Sequence, residues 1–420
     1  MQADLSLWND LLHVTNWTTY IHLLSISITI VIVLIIYADS NQHNTGISLI
    51  MLLALLLGVY LLPLSNHWLM VYLSVIWISL ASTVLIYHHG SQQASILASQ
   101  RYLLYSAIAS ALMLFGMSYI YGLIGTLKIG LFPIDATYTS GLTILGFIGF
   151  LLALGGLWMV IGSFPYQFWV ADIYAATPFF LVAYLSTITK VAVVGLIIKM
   201  VQAMSYSLPP DLYKVVASLW AIVAALTMLV GHFAALTTWN VARLLAYGSI
   251  AQTGFLLVLL VTDLHSYTHV TYYFVIYSIM NIASWLGLGL LYQAANSLDI
   301  QDYAGLGRKF PVISISLTII MLALIGLPPT AGFIAKLLLW IKLWESIQIV
   351  PNPFVIMLLV ISLLGTLMAL YYYLKIPYVL FFKANKHKSV IFIGQPLIQL
   401  LFILITIVLV GLFILGGLVI

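Results

Sequence analysis

Residues 311–346 read PVISISLTIIMLALIGLPPTAGFIAKLLLWIKLWES. As one α-helix this run would extend about 54 Å, against roughly 30 Å of hydrocarbon in a bilayer. Its middle, Gly326-Leu327-Pro328-Pro329-Thr330-Ala331-Gly332, lacks two amide donors and carries two rings that clash with the preceding turn. A broken membrane helix is the expected structure. A second interruption, Gly162-Ser163-Phe164-Pro165, closes an apolar run in the first half of the chain. Paired Gly/Pro interruptions in two halves of a membrane protein point to repeats whose discontinuous helices line an ion path. Two unrelated kinks are the alternative.

The surrounding sequence agrees with a membrane setting. Of 420 residues, 64% are hydrophobic and 6% charged, whereas a soluble domain carries roughly 25% charged residues. That excludes a soluble globular domain. Fourteen basic and ten acidic residues are also too few for a disordered chain or a nucleic-acid binder. With no cysteine, thiolate metal sites, iron–sulfur clusters and cysteine nucleophiles are impossible within the chain. Residues 1–17 are polar, contain Asp4 and Asp10, and lack the basic start of a cleavable signal, so the first apolar run is expected to be retained.

Uncharged runs near 20 residues give about twelve spans: 18–38, 47–64, 66–88, 102–124, 140–164, 178–202, 213–237, 242–262, 267–293, 311–346, 353–380 and 396–419. The fold class is therefore an all-α polytopic membrane protein. Residues 1–17 form an outer N-terminal segment and 18–420 a single transmembrane domain. Alternating the spans places Arg101, Arg243, Arg308, Lys309, Lys383, Lys386 and Lys388 on one side, which the positive-inside rule makes cytoplasmic or matrix. Lys128, Lys199, Lys214 and Lys342 lie at or near the other side, and both termini fall outside.

Charges within the spans carry most of the functional signal. Lys190 lies near the middle of its span, where a lysine costs about 2.5–3.5 kcal/mol to insert and usually faces a polar interior or an ion pathway. The alternative is a structural lysine bonded to neighbouring carbonyls. Lys336, seven residues past Pro329, is the second candidate for a proton path, because a lysine can release its proton where an arginine cannot. Lys342, Lys199 and Lys375 sit nearer span ends and are expected to snorkel. Asp172 is expected to cap a helix in preference to anchoring a basic partner, and Glu345 to be solvated. His43, His88, His89, His265, His269 and His387 are expected in loops, while His22 and His232 lie near span ends. No facing pair for haem results. Phosphate loops, dinucleotide fingerprints and nucleophile elbows are absent from the sequence.

Three ordered motifs also carry a family resemblance. Phe164-Pro165-Tyr166-Gln167-Phe168-Trp169-Val170-Ala171-Asp172-Ile173-Tyr174, followed by Pro178 and Lys190, resembles the proton-antiporter-like membrane subunits of respiratory complex I. Arg243-Leu244-Leu245-Ala246-Tyr247-Gly248-Ser249-Ile250-Ala251-Gln252-Thr253-Gly254 is similar to that family's RLLAYSSIAxxG run. The stretch from Gly326 to Lys336 is similar to its GxPPxAGFxxK run. Asp302-Tyr303-Ala304-Gly305-Leu306 and Arg101-Tyr102-Leu103-Leu104 agree more weakly, and the resemblance covers roughly 18–419.

The resemblance implies two inverted five-helix repeats, at about 47–202 and 213–380, each with a broken helix. It implies a non-redox subunit of a proton-translocating NADH:quinone oxidoreductase, with no catalytic chemistry of its own. NADH, flavin, iron–sulfur clusters and quinone would belong to partner subunits, and the partners would be other antiporter-like and small membrane subunits. A bacterial plasma membrane is the expected location, with the mitochondrial inner membrane as the alternative. Lys190 would match the central-axis lysine, Lys336 the lysine after the second break, Arg101 a position usually held by lysine, and Arg243 the family's own arginine. Pro165, Pro328 and Pro329 would mark the breaks. Ile76 stands where a key glutamate is expected, Val160 where the first broken-helix lysine is expected, and Ala242 where a lysine usually precedes the arginine. The first half-channel would then be degenerate. A hydrogenase-linked or cation/proton antiporter complex and a non-conducting linker remain alternatives.

Overall fold

The computed structural model describes residues 5–38, 45–88, 93–130, 140–262, 267–384 and 396–416. Helix dominates because, inside hydrocarbon, it satisfies backbone donors and acceptors within one segment. A hairpin of β1 (Leu5–Leu7) and β2 (Leu12–Val14) precedes α1 (Asn16–Ala38), α2 (Thr45–Leu64), α3 (Trp68–His88), α4 (Gln93–Ile124) and α5 (Ser140–Ile161). A 3-10 turn at Gln167–Trp169 leads into the short α6 (Val170–Ala176), then α7 (Phe179–Ser207), α8 (Pro210–Thr237), α9 (Val241–Val258) and α10 (Thr268–Ala295). The one-turn α11 (Leu306–Lys309) is followed by α12 (Pro311–Ile325), α13 (Ala331–Ile349), α14 (Pro353–Phe382) and α15 (Pro396–Gly416).

Among the described residues, 11 helices are long and apolar enough to cross a membrane. The remaining expected span is the broken one, formed by α12 and α13 in succession. The apolar window of α7 is buried throughout, whereas α4, α14 and α15 leave most of theirs facing outward. Lys190 thus lies on the most enclosed helix of the bundle.

Lipid tails are as apolar as leucine, so helices associate through close packing rather than water exclusion. Small residues set that packing. A Cβ at Gly116 would collide with the backbone of Ala153 and Gly149 on α5, and one at Gly156 would press on Ala109 O and Met113 of α4. On α8 and α9, Gly231 lies against Ala251 and Gly254 against Met228 in the same way.

The N-terminal segment is more than a polar tail. Its hairpin pairs Ser6 with His13 and is tied to the α2–α3 loop by the Leu12↔Ser65 bridge and by Asn66 N donating to Leu11 O at 2.9 Å. Lys128 Nζ donates to Asp10 Oδ2 at 3.2 Å and holds that carboxyl below its usual range. Both groups are half exposed, so the ion pair adds little to the apolar patch of Leu12, Leu64 and Met70 beneath it.

Several side chains differ from expectation. His269 lies in the first turn of α10 and is buried, and His88 is the last residue of α3; neither is in a loop. Glu345 accepts from Lys342 Nζ at 2.7 Å instead of being simply solvated. Lys199 donates to the carbonyls of Pro63, Leu64 and Ser65, and Lys375 to Leu236 O. Each therefore covers helix C-terminal carbonyls that have no partner within their own helix. His43, His89, His265, His387, Lys386 and Lys388 lie outside the described residues.

Gly116→Leu should force α4 from α5 at an overpacking cost of about 1–3 kcal/mol. The detergent-solubilised protein is expected to melt at a lower temperature than the wild type; an unchanged melting temperature would mean that this contact does not set the packing.

Candidate functional site

The break between α12 and α13 creates the chemistry around Lys336. Gly326 caps α12 in the left-handed conformation at φ 88°, and its amide donates to Leu322 O at 3.0 Å. A side chain at this position would be strained, and its Cβ would also meet Lys336 Cδ at 2.8 Å. Past the break the chain turns through Pro328 and Pro329, both exposed, and Thr330 Oγ1 donates to Leu327 O at 2.6 Å. Because α12 stops inside the bundle, its last carbonyls have no amide to accept from. Lys336 Nζ donates to two of them, Leu324 O at 3.0 Å and Ile325 O at 2.9 Å. An ammonium at a helix C-terminus also faces the negative end of the dipole.

Helix α9 supplies the link to Lys190. Gln252 Nε2 donates to the same Leu324 O at 3.1 Å. One turn earlier on α9, Ser249 accepts from Lys190 Nζ through its carbonyl at 2.9 Å and its hydroxyl at 2.6 Å. The two lysines, each 1% exposed, thus both approach side chains three residues apart on one face of α9: Lys190 donates to Ser249, and Lys336 shares Leu324 O with Gln252. Helix α10 covers that face. Tyr273 OH donates to Gln252 Oε1 at 3.3 Å, Tyr277 OH to Ser186 O at 2.8 Å, and Asn281 Nδ2 to Ser186 Oγ and Thr187 Oγ1 at 2.7 Å each. On the far side, Lys336 Nζ lies 4.5 Å from the centre of the Phe255 ring, whose other neighbour is the edge-packed His232. His232 Nδ1 is 3.2 Å from Tyr372 OH.

Sequence reasoning singled out the two lysines and missed the α9 side chains beside them. Ser249 and Gln252 sit in a run whose arginine drew attention, and hydroxyl and amide side chains spaced three apart in an apolar helix were the available signal. His232 keeps its place near the end of α8 but is fully enclosed beside Phe255.

The first break is satisfied differently. Gly162, at φ 64°, donates to Met159 O at 3.1 Å, Ser163 N donates to Trp158 O at 3.0 Å, and the Trp169 indole donates to Met159 O at 3.0 Å. Just before Pro165, Phe164 N donates to Thr227 Oγ1 at 3.0 Å. Every one of these donors is neutral. Val160 is buried beside Tyr102, Trp169 and Thr189, and the two voids along it are about 10 Å³ each, room for about one water apiece. Ile76 is half buried on α3, and Ala242 is fully buried at the start of α9.

The remaining charged candidates lie elsewhere. Asp172 does not cap α6; Arg243 Nη2 donates to its Oδ1 at 3.0 Å, tying α6 to the start of α9. Asn240 is the residue that caps α9. Arg101 is exposed on α4 and lines a cavity with Trp169 and Asp172, apart from both lysines.

The sequence profile described as "NADH:quinone oxidoreductase/Mrp antiporter, TM" matches residues 65–368. NADH-quinone oxidoreductase subunit N 2 of Chloroherpeton thalassium is 34% identical over 346 residues, which is 81% of this chain and 66% of that protein. The chain thus spans just under two thirds of that relative's length. A chain in the structure of respiratory complex I from Thermus thermophilus superposes with a TM-score of 0.79 at 24% identity, covering 99% of this chain and 87% of that one. A chain of the Mrp complex from Dietzia sp. DQ12-45-1b has the same fold, with a TM-score of 0.79 at 18% identity over 97% of this chain and 82% of that one.

Leu324 O has two side-chain donors, so losing one should cost less than losing both. Lys336→Met and Gln252→Leu are expected to destabilise by about 1–3 kcal/mol each, and the double variant by more than their sum. Thermal melts of the three variants measure this; strict additivity would show that the carbonyl is not shared.

Proposed function

This chain belongs to the NADH:quinone oxidoreductase/Mrp antiporter transmembrane family, and from that premise we propose that it is a subunit N-like component of a complex I-type membrane arm. It takes part in redox-driven proton translocation without redox chemistry of its own. NADH, flavin, iron–sulfur clusters and quinone belong to partner subunits, and the adjoining partners are other antiporter-like and small membrane subunits. The host membrane is a bacterial plasma membrane. Both termini lie on the outer side.

The observation that carries the proposal is the pair of enclosed lysines whose partners, Ser249 and Gln252, lie three residues apart on α9. Lys190 reaches from the first half to Ser249 in the second, and Lys336 holds the second break. A proton taken up by the neutral amine of one lysine makes an ammonium that, in this low-dielectric interior, repels charge at the other, so the pair transmits charge without a continuous wire. The amide of Gln252 and the backbone carbonyl do not themselves carry a proton onward, so transfer between the lysines uses mobile water. The first half serves as a relay from a neighbouring subunit and has no uptake path of its own, because Ile76 and Val160 stand where the resemblance places its glutamate and lysine. Two inverted repeats, about 47–202 and 213–380, account for the two breaks.

The Mrp fold match supports a second reading, a cation/proton antiporter subunit. That reading requires ion exchange in the absence of a quinone-reducing partner. Redox-dependent pumping by the intact assembly separates the two.

In the intact assembly, Lys190→Met retains length and apolar packing but removes the charge and its donors. It should assemble normally while lowering both proton pumping and quinone reduction. Lys336→Arg should rescue poorly relative to Lys336→Ala, since a guanidinium stays charged. A Lys190→Met assembly that reduces quinone and pumps at the wild-type rate would defeat the relay. For orientation, single cysteines at Lys309 and Thr126 should react with an impermeant maleimide from the inner and outer faces respectively; the reverse pattern would invert the topology.

A further inference from the structure

Arg101 lines a cavity of about 320 Å³ whose other walls are Leu104, Tyr105 and Ile108 on α4 and Trp169, Asp172 and Ile173 at the first break. Its guanidinium has no hydrogen-bond or ion-pair partner among the described residues, and Asp172, on the same wall, is engaged by Arg243. The cavity opens to the outside of the bundle: Leu104 is 64% and Ile108 53% exposed, while Trp169 and Ile173 form a buried floor.

The vertical order of these groups identifies the occupant. Helix α4 has 32 residues, about 48 Å at about 1.5 Å per residue, which exceeds the hydrocarbon thickness by about 18 Å. Its first turns therefore project into the headgroup layer, and Arg101, in the third turn, sits near the boundary. Below it, Leu104 and Tyr105 lie one turn deeper, the tyrosine carrying a hydroxyl, and Ile108 extends the apolar wall to about 10 Å below Arg101. Cation, hydroxyl and apolar wall in that order match phosphate, glycerol and acyl chain. A guanidinium binds phosphate through a planar fork of donors, and basic side chains at this level attract anionic lipid.

We propose that this cavity is a binding site for one anionic phospholipid, whose phosphate is held by Arg101 and whose acyl chain lies along Leu104 and Ile108 over Trp169. A free phosphate shares the headgroup chemistry but leaves the apolar wall unused. A carboxylate of a neighbouring subunit would replace the lipid altogether.

The test uses the whole assembly in phosphatidylcholine vesicles doped with phosphatidylglycerol bearing a photoreactive acyl chain, with labelled peptides mapped by mass spectrometry. Label is expected on 104–108 and 169–173 of the wild type. Arg101→Gln should lower it about fivefold, the factor for one basic side chain near an anionic headgroup, whereas Arg101→Lys should retain most of it. Excess inorganic phosphate should not compete. Equal labelling by photoreactive phosphatidylcholine, labelling indifferent to Arg101→Gln, loss of label to inorganic phosphate, or labelling confined to a neighbouring subunit at this cavity would each overturn the proposal. The wild-type comparison of the two lipids stands even if Arg101→Gln fails to assemble.

Discussion

A helix that stops inside hydrocarbon leaves carbonyl oxygens with no amide to accept from, and no water is there to replace it. The rest of this structure depends on what donates to those oxygens. At the end of α12 the donors are a lysine that returns from the next helix and a glutamine from α9. The break therefore brings a removable charge to a fixed place, and the negative end of the helix dipole favours it there.

The first break solves the same problem with backbone amides and an indole. Neutral donors satisfy carbonyls as well as an ammonium does, so the first break closes with an apolar Val160 buried beside it. What changes is chemistry rather than architecture. The second break holds an ammonium donor, and the first holds neutral donors, with voids of about one water each beside the buried Val160.

Helix α9 is the element that both lysines reach, Lys190 through Ser249 and Lys336 over the Phe255 ring. Its Gly254 and Gly231 of α8 let the two helices approach closely, its start is pinned by Asn240 and by the Arg243–Asp172 pair, and its buried face carries Ser249 and Gln252 at helical spacing. The ion pair is half exposed and contributes little to stability. Its consequence is positional, since it joins α6 of the first half to the helix that serves the second.

Sequence alone determined the spans, the two breaks and the depth of Lys190 and Lys336, because hydrocarbon thickness, proline's missing donor and the cost of a buried charge act on local sequence. The expectation of missing titratable groups at Ile76, Val160 and Ala242 rested on the register of the motifs alone. Only tertiary structure decided partners. Nothing local to Asp172 distinguishes a cap from an ion pair; that choice depended on where the start of α9 fell, 71 residues along the chain. Arg101 likewise shares a wall with Asp172 instead of approaching the lysines, because the orientation of α4 against α6 sets its direction. Lys190 and Ser249 meet across 59 residues, and Gln252 and Leu324 across 72. Periodicity places a side chain on a face of its own helix, but which neighbouring face it meets is fixed by the packing of the whole bundle.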